Sequence, residues 1–436
     1  MSSHPIAAPE TADERAMRRR GVTLALLTTA YFFSYLDRQI LAILQELIRA
    51  DLKLSDTQLG LLAGFAFALF YATLGIPVAR LADRSNRVNI IAVALAIWSV
   101  MTAVCGLAQN FVQLLLARIG VGVGEAGSSP PSHSIIADLY PPERRAGAMG
   151  IYSLGVVLGA AGGSIIGGEL AARYGWRVAI MAVGLPGVLL AVIVKLFVVE
   201  PRRGLSDAPR RTEAERETVA PSLAQGFRAL FADRAAVHLV MGVTLTSLIG
   251  YGQNAFGPSF LIRSLGLELT DISRVVAPIG AVMGTASALI GGWLANLAAK
   301  RYGLHAQAWL VLAMKSIGLP LSFLFYLAGD VTTALIAYFG SLLLINSYLG
   351  PTFALIQGLA PLRMRALWAA ITLLVINLIG LGLGPTMVGV ISDALKPTYG
   401  EESLRYAMLS FAAVTPWALF HYWRAGVLLR RRERAG

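Results

Sequence analysis

Four ionisable side chains stand inside stretches that are otherwise apolar: Asp37 with Arg38, and Arg118 with Glu125. Two carboxylates and two guanidinium groups together make a set that can bind and release protons. A carboxylate shifted between a wet and a dry cavity changes its proton affinity, through desolvation and through its distance from an arginine. At ~1.5 Å rise per residue, Asp37 and Glu125 each fall near the middle of a membrane-length helix. Arg118 precedes Glu125 by two helical turns and shares its face. Ionisable groups at such depth cost several kcal/mol unless paired or hydrated, which makes them functional candidates. The plainer use of the same residues is a fixed ion-pair set that only ties helices together.

The elements that carry them follow from composition. Of 436 residues, 56% are hydrophobic and only 14% charged, against roughly 25% charged in soluble domains. Runs of about 20 or more largely apolar residues recur along the chain, each long enough to cross a ~30 Å hydrocarbon core. The 44 glycines suit close helix approach in lipid. Twelve spans are expected, in an all-α membrane protein. The expected organisation is a tail (1–21), a first six-helix bundle (22–199), a linker (200–235), a second six-helix bundle (236–428) and a short tail (429–436).

The formal charge of +12 reports topology and not nucleic acid. With the N-terminus inside, the outer loops hold only Arg49, Lys53, Arg173, Arg177, Arg263, Arg274, Lys396 and Arg405. Arg38, Arg118, Lys195 and Lys315 lie within spans, and the remaining basic residues fall on the inner side. This bias places both termini in the cytoplasm. The only cysteine, Cys105, leaves no internal disulfide or thiolate metal site. The polar first 20 residues lack a short apolar core with a small-residue cleavage site, so the first span is expected to be retained. No phosphate-cradling glycine loop with its lysine is present, so neither ATP nor another cofactor is expected. His133 and Asp138 form an H-x4-D string, but positions five apart diverge by ~140° on a helix. A lipid-modifying membrane enzyme is therefore a remote alternative.

The two halves repeat. PPERRAGAMG (Pro141 to Gly150) aligns with PLRMRALWAA (Pro361 to Ala370), about half a chain away, and each leads into a glycine-rich span. ARLADRSNR (Ala79 to Arg87) has a weaker echo in GWLANLAAKR (Gly292 to Arg301). The first of these resembles the signature G-x-L-A-D-R-x-G-R-[KR] of the major facilitator superfamily, departing from it at Ala79, Asn86 and Val88. YFFSYLDRQI (Tyr31 to Ile40) and GVGEAGSSPPSHSIIADLYPPERR (Gly122 to Arg145) resemble its spinster branch.

That resemblance implies two six-helix bundles related by a pseudo-twofold repeat, in a protein of the bacterial inner membrane. Its first and fourth helices are then neighbours lining a central cavity, so Asp37, Arg38, Arg118 and Glu125 form one cluster. It also implies a cytoplasmic gate at Asp83, Arg84 and Arg87, with Asp83 near the start of the eleventh helix and Arg144, Arg145 and Glu200 as network partners. In the second half no carboxylate matches the first; Tyr251, Gln253, Asn254, Asn346 and Asn377 supply the polar content. Each asparagine could equally be a helix–helix hydrogen bond. A cavity charged on one side and apolar on the other suits an amphiphile with a charged head. The expected function is proton-linked secondary transport of a lysolipid-like or sphingoid-type molecule, and the rival is multidrug or organic-anion exchange. Lys315, in a helix that is peripheral in the resembled fold, is expected to snorkel or meet a local carbonyl. Pro130 and Pro131 are expected to kink the fourth helix.

Overall fold

The computed structural model describes residues 10–206 and 222–435; residues 207–221 of the expected linker, and residues 1–9, lie outside the described residues. The described residues contain no strand. Among the described residues, eight continuous helical stretches are long and apolar enough to cross a membrane, and twelve long helices make up the fold. They are α1 (Arg20–Leu52), α2 (Asp56–Ala82), α3 (Arg87–Cys105), α4 (Phe111–Glu125 with Ser129–Leu139), α5 (142–174), α6 (176–197), α7 (Arg234–Leu265), α8 (Leu269–Tyr302), α9 (His305–Leu327), α10 (Val331–Leu359), α11 (365–399) and α12 (403–435). Apolar side chains such as Leu116, Leu189, Leu196, Leu289, Trp293 and Ile336 are exposed around the outside. So large an exposed apolar surface is what lipid solvation requires.

Capping residues start several of these helices, and two of the caps repeat between halves. Asn110 Oδ1 accepts the N–H of Gln113 at 3.0 Å at the start of α4, and Asp330 Oδ1 accepts that of Thr333 at 2.9 Å at the start of α10. Ser55 and Gln58 form a reciprocal capping box at α2, satisfying two otherwise orphaned donors. Between α5 and α6 the chain turns at Gly175, whose φ of 80° and ψ of 164° leave the helical region. Positive φ of this kind favours glycine.

Both halves break their fourth helix. In α4 the helix stops at Glu125 and restarts at Ser129 with proline in its first turn. In α10 it stops at Ile345, passes through a 3₁₀ turn at Asn346–Tyr348 and restarts at Leu349. Proline at the start of the new segment lacks the N–H that the break would orphan anyway. A π-helical stretch, Ile376–Leu383, interrupts α11, while its repeat partner α5 stays regular there.

Among the described residues, hydrogen bonds and ion pairs between 10–206 and 234–435 run from the level of Gln39 and Asn254 to the loops at the far end from the linker. Glycines allow the approach: a Cβ on Gly60 would meet the Pro385 carbonyl oxygen at 2.4 Å, and one on Gly389 the Asp56 carbonyl oxygen at 2.1 Å. Backbones of α2 and α11 therefore touch directly.

Candidate functional site

The four buried charges do form one cluster, as two ion pairs. Arg38 donates Nε and Nη2 to Glu125 Oε2 at 2.9 and 2.6 Å, and Ser34 Oγ donates to the same oxygen at 2.7 Å. Arg118 Nη1 donates to Asp37 Oδ2 at 3.2 Å. Asp37, Arg118 and Glu125 are almost completely buried, whereas the Arg38 side chain keeps 17% exposure. Aromatic rings enclose that guanidinium: its carbon lies 4.9 Å from the Tyr35 ring centre and 4.6 Å from those of Phe67 and Tyr71. Such faces stabilise a cation, the more so where water is scarce.

Glycine spacing builds the cluster. On α5, Gly155, Gly159 and Gly163 recur every four residues and lie against α1; Cβ atoms there would meet carbonyl oxygens of Thr28, Phe32 and Leu36 at 2.7, 2.3 and 2.6 Å. On α4, Gly122 presses on Phe67 of α2 and Gly124 on Trp98 of α3, each with less than 3 Å to spare. These contacts fix the rotation of α4, from which Arg118 and Glu125 reach Asp37 and Arg38 on α1. The break behind Glu125 puts its carboxylate at a helix end, where Glu125 Oε1 has no hydrogen-bond partner; Arg118 Nε has none either. Unsatisfied buried polar atoms are costly and invite a proton, a water or a ligand atom.

The second-half candidates separate. Tyr251 lies within electrostatic reach of Arg38, Tyr35 and Tyr71 on one side and of Tyr348 on the other. Gln253 and Asn346 line a small cavity together with Lys315 and Tyr348. Asn254 Nδ2 donates across the bundle boundary to Gln39 Oε1 at 3.3 Å. Asn377 sits half-buried in the π-helical stretch of α11, away from these contacts. Lys315 does not snorkel. It is only 4% exposed, with its ammonium 4.7 Å from the centre of the Tyr348 ring. Its α9 face turns inward toward α7 and α10, which mid-span position alone did not reveal.

The gate residues also divide. Fully buried Arg87 donates to Glu200 Oε1 at 2.6 Å, to Ser134 Oγ at 2.8 Å, to the Pro201 carbonyl at 2.8 Å, and to Asp138. Asp138 Oδ1 in turn accepts the N–H of Gly204 at 2.8 Å. The H-x4-D aspartate is thus the anchor of this network, joining α3, α4 and the end of α6. Arg145 donates to the carbonyls of Tyr140 and Ala137 at 3.2 and 2.7 Å. Asp83, Arg84 and Arg144 are exposed and form no ion pair among the described residues.

Sequence reasoning missed the contacts that close the opposite face. Arg263 of α7 spans Glu46 of α1 at 2.6 Å and Asp56 of α2 at 2.7 Å. Asp56 also accepts Ser392 Oγ at 2.6 Å, and Asp393 accepts the N–H groups of Asp56 and Thr57 at 3.1 and 2.8 Å. Asp393 thereby caps the start of α2 from the other bundle. Arg274 pairs with Glu169. The available signal was that Glu46, Asp56, Arg263 and Asp393 all flank span ends on one face.

Two repeat-related helical bundles with buried paired charges between their helices are the architecture of a membrane transporter. The chain belongs to the major facilitator superfamily, whose family model matches residues 27–385. It is 33% identical over 432 residues to an MFS-type efflux pump of Mycolicibacterium smegmatis, covering 98% of both chains. Protein spinster homolog 1 of Xenopus laevis is 27% identical over 428 residues, covering 91% of this chain and 78% of that protein. A bacterial homologue of the human lysosomal transporter Spinster, solved inward-facing and unoccupied, superimposes with a TM-score of 0.85 at 31% identity, over 94% of this chain and 98% of that one. The protein is thus a transporter of the spinster type, not an enzyme.

Proposed function

We propose that this transporter moves an amphiphilic substrate, lysolipid-like or sphingoid-like, by alternating access coupled to proton movement at Asp37 and Glu125. The observation that carries the reading is the buried double ion pair in which Arg38 alone retains exposure, beside Glu125 with a free carboxylate oxygen. Protonating Glu125 weakens its hold on Arg38, and losing the proton lets the pair re-form. Asp37 and Glu125 thus alternate between protonated and Arg-paired states as the cavity switches sides, which ties proton movement to the conformational change. The apolar, tyrosine-rich remainder of the second half suits a hydrocarbon tail. In this reading the bundles comprise 22–199 and 236–428, joined by the 200–235 linker, and the tails are cytoplasmic in a bacterial inner membrane. The conformation is then inward-facing, with Asp83, Arg84, Arg87, Arg144, Arg145 and Glu200 belonging to a gate that closes in the opposite state.

A second reading has its own support. Relatives include a hexuronate transporter of Bacillus subtilis, 27% identical over 65% of its length, and a cis,cis-muconate transport protein of Acinetobacter baylyi, 26% identical over 87% of its length. Both names denote carboxylates, and the unpaired Lys315 suits an anion. Reconstitution into liposomes with an imposed pH gradient separates the readings. Gradient-driven movement of a chemically unchanged labelled lysolipid supports the first, and uptake of glucuronate or a dye without lipid movement supports the second. Movement indifferent to the gradient contradicts proton coupling.

A further inference from the structure

Lys315 is a buried cation within a span that, unlike Arg87 and Arg263, has no carboxylate partner among the described residues. Asp37, Arg38, Arg118 and Glu125 balance one another's charge, so that cluster presents no net charge to a ligand. Lys315 has no such partner. Only 4% of it is exposed, and among the described residues it makes no hydrogen bond or ion pair. Its one polar contact is the π face of Tyr348, a ring held in place by the hydrogen bond between its hydroxyl and Ser247 Oγ at 3.1 Å. A cation–π contact offsets only part of the cost of burying an ammonium.

The space in front of it is built for acceptor atoms. Lys315, Gln253, Asn346, Ser322 and Tyr348 line a cavity of about 50 Å³, and no carboxylate is among its lining residues. Among the described residues the Gln253 and Asn346 side-chain amides make no hydrogen bonds, so their N–H donors are uncommitted. Together with the ammonium they can donate to the several lone pairs of a carboxylate or phosphate. The cavity is not sealed: Asn346 is exposed, and Gln253 and Tyr348 are half-buried. The 3₁₀ turn that presents Asn346 occupies the place in α10 that the Glu125 break occupies in α4.

We propose that Lys315, with Gln253 and Asn346, forms an anion-binding subsite that takes the carboxylate or phosphate group of the transported molecule. The proposal rests on the transport reading and narrows its substrates to anions, whether the anion is a lipid head group or a small organic acid. Equilibrium binding to the full-length protein in nanodiscs tests it with three probes. These are oleoyl lysophosphatidic acid, monooleoylglycerol with the same chain and no charge, and glucuronate.

Wild type is expected to bind one of the anionic probes at least ~10-fold more tightly than monooleoylglycerol, as a charge-assisted contact allows. The preference should vanish in Lys315→Met, persist in Lys315→Arg, and fall in Asn346→Leu. Lys315→Gln, which keeps a polar group of similar length, replaces Lys315→Met if the latter elutes as aggregate. Lysophosphatidic acid carrying the Lys315-dependent gain identifies a lipid head group; glucuronate carrying it identifies an organic acid, keeps the subsite and overturns the lipid reading. Equal anion preference in wild type and Lys315→Met, or no anion preference in wild type, overturns the subsite. Gradient-driven lipid transport surviving in that case leaves the transport reading in place.

Discussion

The N-terminal and C-terminal halves repeat one backbone device and fill it with opposite chemistry. In α4 the helix breaks behind Glu125, which is ion-paired to Arg38; in α10 it breaks at Asn346, beside a lysine with no counter-charge. Breaks of this kind free backbone and side chain at mid-membrane only where protein or a polar cavity covers them. The two mid-span openings therefore differ in charge balance: the first is self-balanced, and the second holds a cation without a counter-charge among the described residues. Protonating a carboxylate of the balanced set releases its arginine, whereas the unbalanced cation waits for an anion. The proposed division of labour, coupling in the first half and substrate charge in the second, follows from that difference.

The boundary between the halves breaks most severely at Arg263. Removing one partner of a buried ion pair costs roughly 3–5 kcal/mol because the remaining charges stay desolvated. Arg263→Gln leaves Glu46 and Asp56 facing each other without their shared cation, and is expected to open the face on which the bundles meet. Cys105 is the sole cysteine and is buried, so a reporter cysteine introduced near Glu401 reads that opening with little background. Labelling no faster than in the unsubstituted background counts against Arg263 as a clasp.

A smaller effect lies within the first half. A methyl group on Gly159 would sit 2.3 Å from the Phe32 carbonyl oxygen, so Gly159→Ala must push α5 off α1, at the ~1–3 kcal/mol typical of overpacking. Thermal unfolding should shift down and transport should fall together, because α1 carries Asp37 and Arg38. Gly389→Ala, facing the Asp56 carbonyl oxygen at 2.1 Å, strains only the contact between halves. It should favour the alternate conformation with less loss of bundle stability. The same stability loss in both variants would erase the distinction between packing within and between the halves.

The smallest effect concerns the linker side of the second half. Asp233 caps α7 through the N–H groups of Ala235 and Ala236 at 2.9 and 3.1 Å and pairs with Arg432 at 2.8 Å. Burial pushes its carboxyl up, but the Arg432 bond and the backbone N–H groups outweigh this and hold it below the usual carboxylate range. A depressed carboxylate contributes stability above its unfolded value that is lost as pH falls through its folded one. Asp233→Ala should therefore cost about 1 kcal/mol at neutral pH, and the difference from wild type should shrink on acidification below pH ~4. A gap that widens in acid reverses the assignment.

Much of this was legible in the chain. Apolar runs marked the spans, and charges inside them are so expensive that Asp37, Arg38, Arg118 and Glu125 declared themselves. Pro130 and Pro131 announced the break in α4. Long-range pairing was not legible: the capping of α2 by Asp393 and the burial of Arg87 against Asp138 depend on which helices come to rest together. Lys315 shows the same limit, since its position in α9 gives its depth but not what its face meets. Asp83 and Arg84 form no ion pair among the described residues, and their proposed role in a gate concerns a state other than this one.

The central claim is that protons couple through the first half, and Glu125→Gln tests it most directly. Gradient-driven uptake and substrate counterflow are measured side by side in liposomes, with Asp37→Asn as the companion variant. The account predicts that Glu125→Gln still exchanges substrate in counterflow but no longer accumulates it under a pH gradient. Accumulation equal to wild type under that gradient would contradict the account.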